Sequence, residues 1–196
     1  LLRWIAGLGW ADAGLKPVFR GNGRLYALSI LFYPVIACLA IAIGAALGGI
    51  DFSFNRAGTF WKEMGTIILI SQIWTNVFEE FAFRGFLAPK SDESQGTVPS
   101  YLVTGLVWGA WHIPYLAVIT PFSSMDRGVL VLLFMLSAVS ISLVYGEVRK
   151  RSGSMWPAVL MQISGGLALG IAAGGARIIR GAWFFSPAFE GGAVVI

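Results

Sequence analysis

The sequence predicts an all-α fold, a polytopic transmembrane helix bundle with at least five spans, and three observations predict it. Of 196 residues, 57% are hydrophobic and only 12% charged, about half the charged share of an ordinary soluble domain. The apolar residues fall in uninterrupted blocks of roughly 20, the length a helix needs to cross about 30 Å of hydrocarbon. The basic residues collect at the ends of those blocks, where membrane proteins keep them for topology. The net charge of +4 is therefore assigned to orientation. Nucleic acid is excluded as a partner and membrane lipid is expected. Cys38 is the single cysteine and lies inside an apolar block, so neither an intrachain disulfide nor a cysteine-ligated metal site can be built.

Residues 1–26 read as an interfacial, basic segment with Trp4, Trp10, Lys16, Arg20 and Arg24. Residues 27–174 read as the transmembrane domain. Its first span is the apolar run from about Ala27 to Gly49. A charged loop, Asp51 to Glu63, leads to a second span from about Met64 to Ala88, interrupted only by Glu79, Glu80 and Arg84. A polar loop from Lys90 to Pro99 precedes a third span, Tyr101 to Pro121. The Ser123–Arg127 turn precedes a fourth, Gly128 to about Glu147, closed by Arg149, Lys150 and Arg151. Ser154 as an N-cap and Pro157 in a first turn open the fifth, to about Ala173. Residues 175–196, with Arg177, Arg180, Trp183, Phe184 and Phe185, suit an interface better than a sixth crossing. No signal-peptide pattern is present at the Leu1-Leu2-Arg3 start, and five spans is a minimum. With five crossings, Lys16, Arg20, Arg24, Lys90, Arg149, Lys150 and Arg151 share one side, expected to be cytoplasmic.

Charged groups inside a span each cost at least a few kcal/mol unless paired or facing a wet cavity. Glu80 and Arg84 stand i and i+4 on one helical face, a spacing that supports an ion pair, while Glu79 points roughly 100° away. Glu79 is thereby free to take a proton as a general base. His112 is the only histidine and lies mid-span, with Trp108 one turn before it and the small Gly109 and Ala110 between them to permit close helix approach. Counted from Lys90, Tyr101 and Ser154, the residues Glu79, His112 and Gln162 all lie roughly 12 to 17 Å inside the same boundary. Three spans thus bring polar side chains to one depth. Each residue also has a structural reading: Glu80–Arg84 as register control, His112 as a hydrogen-bonded packing residue, Gln162 as an interhelical hydrogen-bonder.

The string Glu79-Glu80-Phe81-Ala82-Phe83-Arg84-Gly85 resembles the EExxxR signature of the CAAX-protease and bacteriocin-processing (CPBP, or Abi) family of intramembrane proteases. Trp108-x-x-x-His112 resembles that family's second motif, and the stretch from Gly146 to Met161 is similar to the segment before its third. The resemblance implies that Glu79 and His112 are catalytic around a hydrolytic water, with Glu80, Arg84, Trp108 and Gln162 in support. It implies no cofactor. One histidine with two glutamates, one of them tied to arginine, is also a poor zinc set, and no metal is expected. The third motif usually reads His-x-x-x-Asn, and Gln162 and Gly166 stand at those positions here. Gln162 does not titrate, and Gly166 has no side chain to steady an oxyanion.

Two functions follow. One is an intramembrane endopeptidase, resembling CAAX-processing members, with Gln162 standing in for the missing histidine. The other is a catalytically degenerate member acting as a binding or structural subunit of a membrane complex. The partner is a lipidated or transmembrane protein, as substrate or as subunit. The expected location is a prokaryotic plasma membrane, with the site nearer the cytoplasmic side.

Overall fold

The computed structural model of the chain describes residues 7, 9–46, 51–52, 69–119, 127–172 and 179–180. Trp4, Arg56, Lys62, Glu63, Met64, Ser123, Arg177, Trp183, Phe184 and Phe185 lie outside them. The described residues are helical apart from turns and one two-residue ribbon. Its strands β1 (Asp51–Phe52) and β2 (Ile179–Arg180) pair antiparallel, with Asp51 opposite Arg180.

The first expected span forms α1 (Gly23–Ala46), which carries Pro34 in its interior, a substitution that spanning helices tolerate where neighbours re-satisfy the backbone. The fourth forms α6 (Arg127–Ser152), with Arg149, Lys150 and Arg151 in the last turn, where cations complement the helix dipole. These two helices are long and apolar enough to cross a membrane, with mean hydropathies of 2.3 and 2.4. α2 (Leu69–Ala82) passes through a π turn (Phe83–Leu87) into α3 (Ala88–Gln95). The segment from Lys90 was expected as a loop. It is helical as far as Gln95, and the corner is Gly96, at a φ of 84° that L side chains rarely adopt. α4 (Thr97–Trp111) then breaks at His112 before α5 (Ile113–Ile119), so the third expected span is two helices. Pro114 fits this arrangement, since it lies in the first turn of α5, where its fixed φ suits a helix start, and it removes a donor from the ladder that would continue α4. α7 (Trp156–Ala172) opens as expected, the Trp156 amide donating to Ser154 Oγ at 3.3 Å.

Packing is tight where side chains are small. α4 lies against α6 through Gly105 and Gly109: a Cβ at 105 would stand 2.6 Å from the Val139 Cα, and one at 109 would stand 2.6 Å from Met135 Sδ. Ala110, expected to share that role, faces outward. α1 packs on α7, where a Cβ at Gly165 would meet the Tyr33 ring at 2.8 Å. Small residues at helix contacts and large apolar residues outside are the pattern of a bundle solvated by lipid. Leu28, Leu31, Leu39, Leu132, Leu136 and Val118 are exposed, whereas Ser29, Asn76, Glu80, Arg84, Thr104 and Ser142 are buried.

The segment before α1 docks on one end of the bundle. Arg149 Nη2 donates to the Asp12 carbonyl at 2.6 Å, Lys90 pairs with the Asp12 carboxylate at 3.1 Å, and the Trp156 indole donates to the Leu15 carbonyl at 2.7 Å. Trp10 stacks on Phe81 with centroids 5.6 Å apart. Lys150 reaches Asp92 at 3.5 Å. These contacts gather Lys90, Arg149 and Lys150 at a single end, as the charge pattern predicts.

Candidate active site

The site begins with one helical turn that carries two carboxylates in different surroundings. Glu80 and Arg84 are fully buried, and Arg84 Nη1 donates to Glu80 Oε1 at 2.8 Å, the i, i+4 pair expected from spacing. The guanidinium carbon lies 4.3 Å from the Tyr145 ring centroid and 5.4 Å from that of Trp108, so aromatic faces replace part of the lost hydration. Arg84 lies within the π turn, and its carbonyl accepts from Arg149 Nε at 3.1 Å. A π turn shifts the backbone register by one residue and leaves a carbonyl available for such a contact.

Glu79 is half-buried and turns to the other side. It was expected to lack a partner, and the structure corrects this. Gln162 Nε2 donates to Glu79 Oε2 at 2.7 Å, and Trp108 Nε1 approaches the same oxygen at 3.5 Å. A carboxylate only accepts, so the Gln162 amide must present its NH2 to Glu79. Gln162 Oε1 is left buried with no partner among the described residues.

His112 is oriented by the break it occupies. Its backbone amide donates to the Gly109 carbonyl at 3.1 Å, a tightened turn that releases the Trp108 carbonyl from the regular i, i+4 bond. His112 Nδ1 lies 2.9 Å from that carbonyl. A carbonyl accepts only, so Nδ1 carries hydrogen, and in the neutral ring Nε2 keeps its lone pair. The ring packs edge-on to Trp108 at 5.0 Å and against Phe134 at 5.3 Å. Trp108, 1% exposed, therefore joins three members of the constellation: its face meets Arg84, its N–H approaches Glu79, and its carbonyl holds His112.

Glu79, Trp108, His112 and Gln162 line one cavity of about 340 Å³, whose wall also includes Gln72, Thr75, Asn76, Tyr115 and Gly166. The three depths counted from sequence do converge. Gln72 and Asn76 were missed. With Glu79 they stand at i, i+4 and i+7 (72, 76 and 79), one stripe of α2, and that spacing was the available signal. Among the described residues no three carboxylate, imidazole or thiol groups gather as a metal site would require.

A family model described as type II CAAX prenyl endopeptidase Rce1-like matches residues 61–165, more than half of the chain. The chain belongs to the Rce1-like family. It is thereby placed among the membrane-integral CAAX-type proteases. The Rce1-like match contains Glu79, Glu80, Arg84, Trp108, His112 and Gln162 and ends one residue before Gly166. No curated protein and no solved structure matches the chain.

Proposed function

We propose that this Rce1-like chain is an intramembrane endopeptidase in which Glu79 and His112 activate water within the bundle. The supporting observation is the division of labour between neighbouring carboxylates. Glu80 is committed to Arg84, whereas Glu79 faces the cavity beside His112 with neutral donors as its only partners among the described residues. In the reaction, His112 Nε2 accepts one hydrogen bond from the water and Glu79 takes a proton as the water oxygen bonds to the peptide carbonyl carbon. The carbonyl π pair moves to oxygen. Collapse re-forms the C=O bond and breaks the C–N bond, and the proton held by Glu79 passes to the departing amine.

The same proposal has α2, the α4–α5 pair and α7 cross the bilayer with α1 and α6, giving five spans. The end that gathers Lys90, Arg149 and Lys150 then faces the cytoplasm by the positive-inside rule. Substrates are prenylated protein C-termini, which reach the cavity from the lipid. A second reading, a binding subunit without catalysis, draws on one observation: Gln162 and Gly166 stand where the third motif has titratable and amide side chains.

The test is cleavage of matched prenylated and unprenylated peptides by purified protein in lipid. The proposal expects prenyl-dependent cleavage that falls by about 10² to 10⁴ in Glu79→Gln and in His112→Ala. Tight binding of the prenylated peptides with no cleavage by the wild type supports the second reading. Cleavage unchanged by Glu79→Gln removes the first.

A further inference from the structure

Gly166 removes a side chain from the cavity wall, yet the space is not empty. If residue 166 carried a Cβ, the Gln72 amide carbon would stand 2.9 Å from it, and the Gln72 carbonyl oxygen would be closer still. The amide of Gln72, on α2, thus occupies the volume that an asparagine at 166, on α7, would fill with its own amide. The two helices run antiparallel here: Gln162 meets Glu79 while Gly166, one turn later, meets Gln72. The amide is also braced. Asn76, only 5% exposed, donates from Nδ2 to Gln72 Oε1 at 3.0 Å. One N–H links the pair, and Gln72 Nε2 keeps both hydrogens free of any described partner. Exchanging the O and N of both amides still leaves one NH2 group uncommitted to the link.

We propose that the Gln72–Asn76 amide pair is the oxyanion donor of this site, supplied from α2 in place of a side chain at 166. This rests on the Glu79–His112 reading of hydrolysis. The distances fit. From base to donor, a tetrahedral intermediate needs two hydrogen bonds and two carbon–oxygen bonds, about 8 Å when extended. Along the α2 axis, Asn76 and Gln72 lie roughly 4.5 and 10.5 Å from Glu79 at 1.5 Å per residue, so the pair brackets that length. As water adds to the carbonyl carbon and the π pair moves to oxygen, the amide N–H stabilises the new negative charge. It withdraws no proton and releases the oxygen when the carbonyl re-forms. A donor already braced by Asn76 needs no reorganisation at that moment, which is the condition under which such groups are most effective.

Single-turnover cleavage of a prenylated peptide in lipid, with thermal unfolding of each variant, tests this. Gln72→Met keeps bulk over Gly166 and removes the donor; the saturating cleavage rate is expected to fall by about 10² to 10³, with the half-saturating concentration within a few fold. Gln72→Ala falls similarly. Gly166→Asn in the wild-type background collides with Gln72 and loses activity, but the double variant Gln72→Ala/Gly166→Asn regains at least tenfold over Gln72→Ala. A wild-type cleavage rate in a folded Gln72→Met, or a folded double variant no faster than Gln72→Ala, overturns the proposal and leaves Glu79 untouched. Cleavage that does not depend on Glu79 overturns the underlying reading instead.

Discussion

Replacing Arg84 by methionine removes a charge from a place where it cannot be replaced by water. Glu80 and Arg84 are both fully buried, their side chains 0% and 1% exposed, and joined at 2.8 Å. Removing one member of such a pair typically costs about 3–5 kcal/mol, because the remaining charge stays buried and unpaired. The cation–π contact of Arg84 with Tyr145, centroid distance 4.3 Å, adds about 0.5–2 kcal/mol. Arg84→Met should therefore lose about 4–6 kcal/mol, most of a typical domain's stability. Glu80→Gln/Arg84→Met has no stranded charge, and it should recover at least about 2 kcal/mol of that loss. Denaturant titration in mixed micelles, followed by helix content, measures all four corners of the cycle. A single Arg84→Met loss below about 1 kcal/mol, or strictly additive single effects, would refute the inference that these two charges form one buried unit.

Three further outcomes are expected. Gly105→Leu should destabilise the bundle by at least about 1–3 kcal/mol through overpacking, because even a Cβ would lie 2.6 Å from the Val139 Cα; Leu106→Ala, exposed one position on, is the matched control and should unfold like the wild type in the same titration. Trp108→Phe removes an N–H 3.5 Å from Glu79 but keeps the ring between Arg84 and His112; cleavage should fall less than tenfold, since Gln162 holds the same oxygen at 2.7 Å. Pro114→Ala permits α4 to run on into α5, which returns the Trp108 carbonyl to the helix ladder and takes it from His112; single-turnover cleavage should drop at least tenfold while unfolding is unchanged or improved.

The parts of this molecule that were legible in sequence are those governed by local spacing. The presence of α1 and α6, the Glu80–Arg84 pair at i, i+4, and the opening of α7 at Ser154 each follow from residues within a turn or a single helix. Counting depth from Lys90, Tyr101 and Ser154 was enough to bring Glu79, His112 and Gln162 to one cavity. Features made by neighbours across the bundle were not legible. Glu79 was expected to be unpartnered because its acceptance from Gln162 depends on how α2 meets α7. The docking of Asp12 and Leu15 uses backbone carbonyls, which carry no residue signature. The π turn at Phe83–Leu87 likewise has no compositional mark. Pro114 was visible, yet the third span was read as unbroken through it, and the Gln72, Asn76, Glu79 stripe was there to be counted.

Single-turnover cleavage of a prenylated peptide in ¹⁸O-labelled water, by the wild type and by Glu79→Gln with Glu80→Gln as the neighbouring control, addresses the central claim most directly. Direct attack by water that Glu79 deprotonates predicts one labelled oxygen in the new carboxylate within the first turnover and a rate lower by at least about 10² in Glu79→Gln. A first-turnover product without label, or a Glu79→Gln variant that cleaves as fast as the wild type, would contradict it.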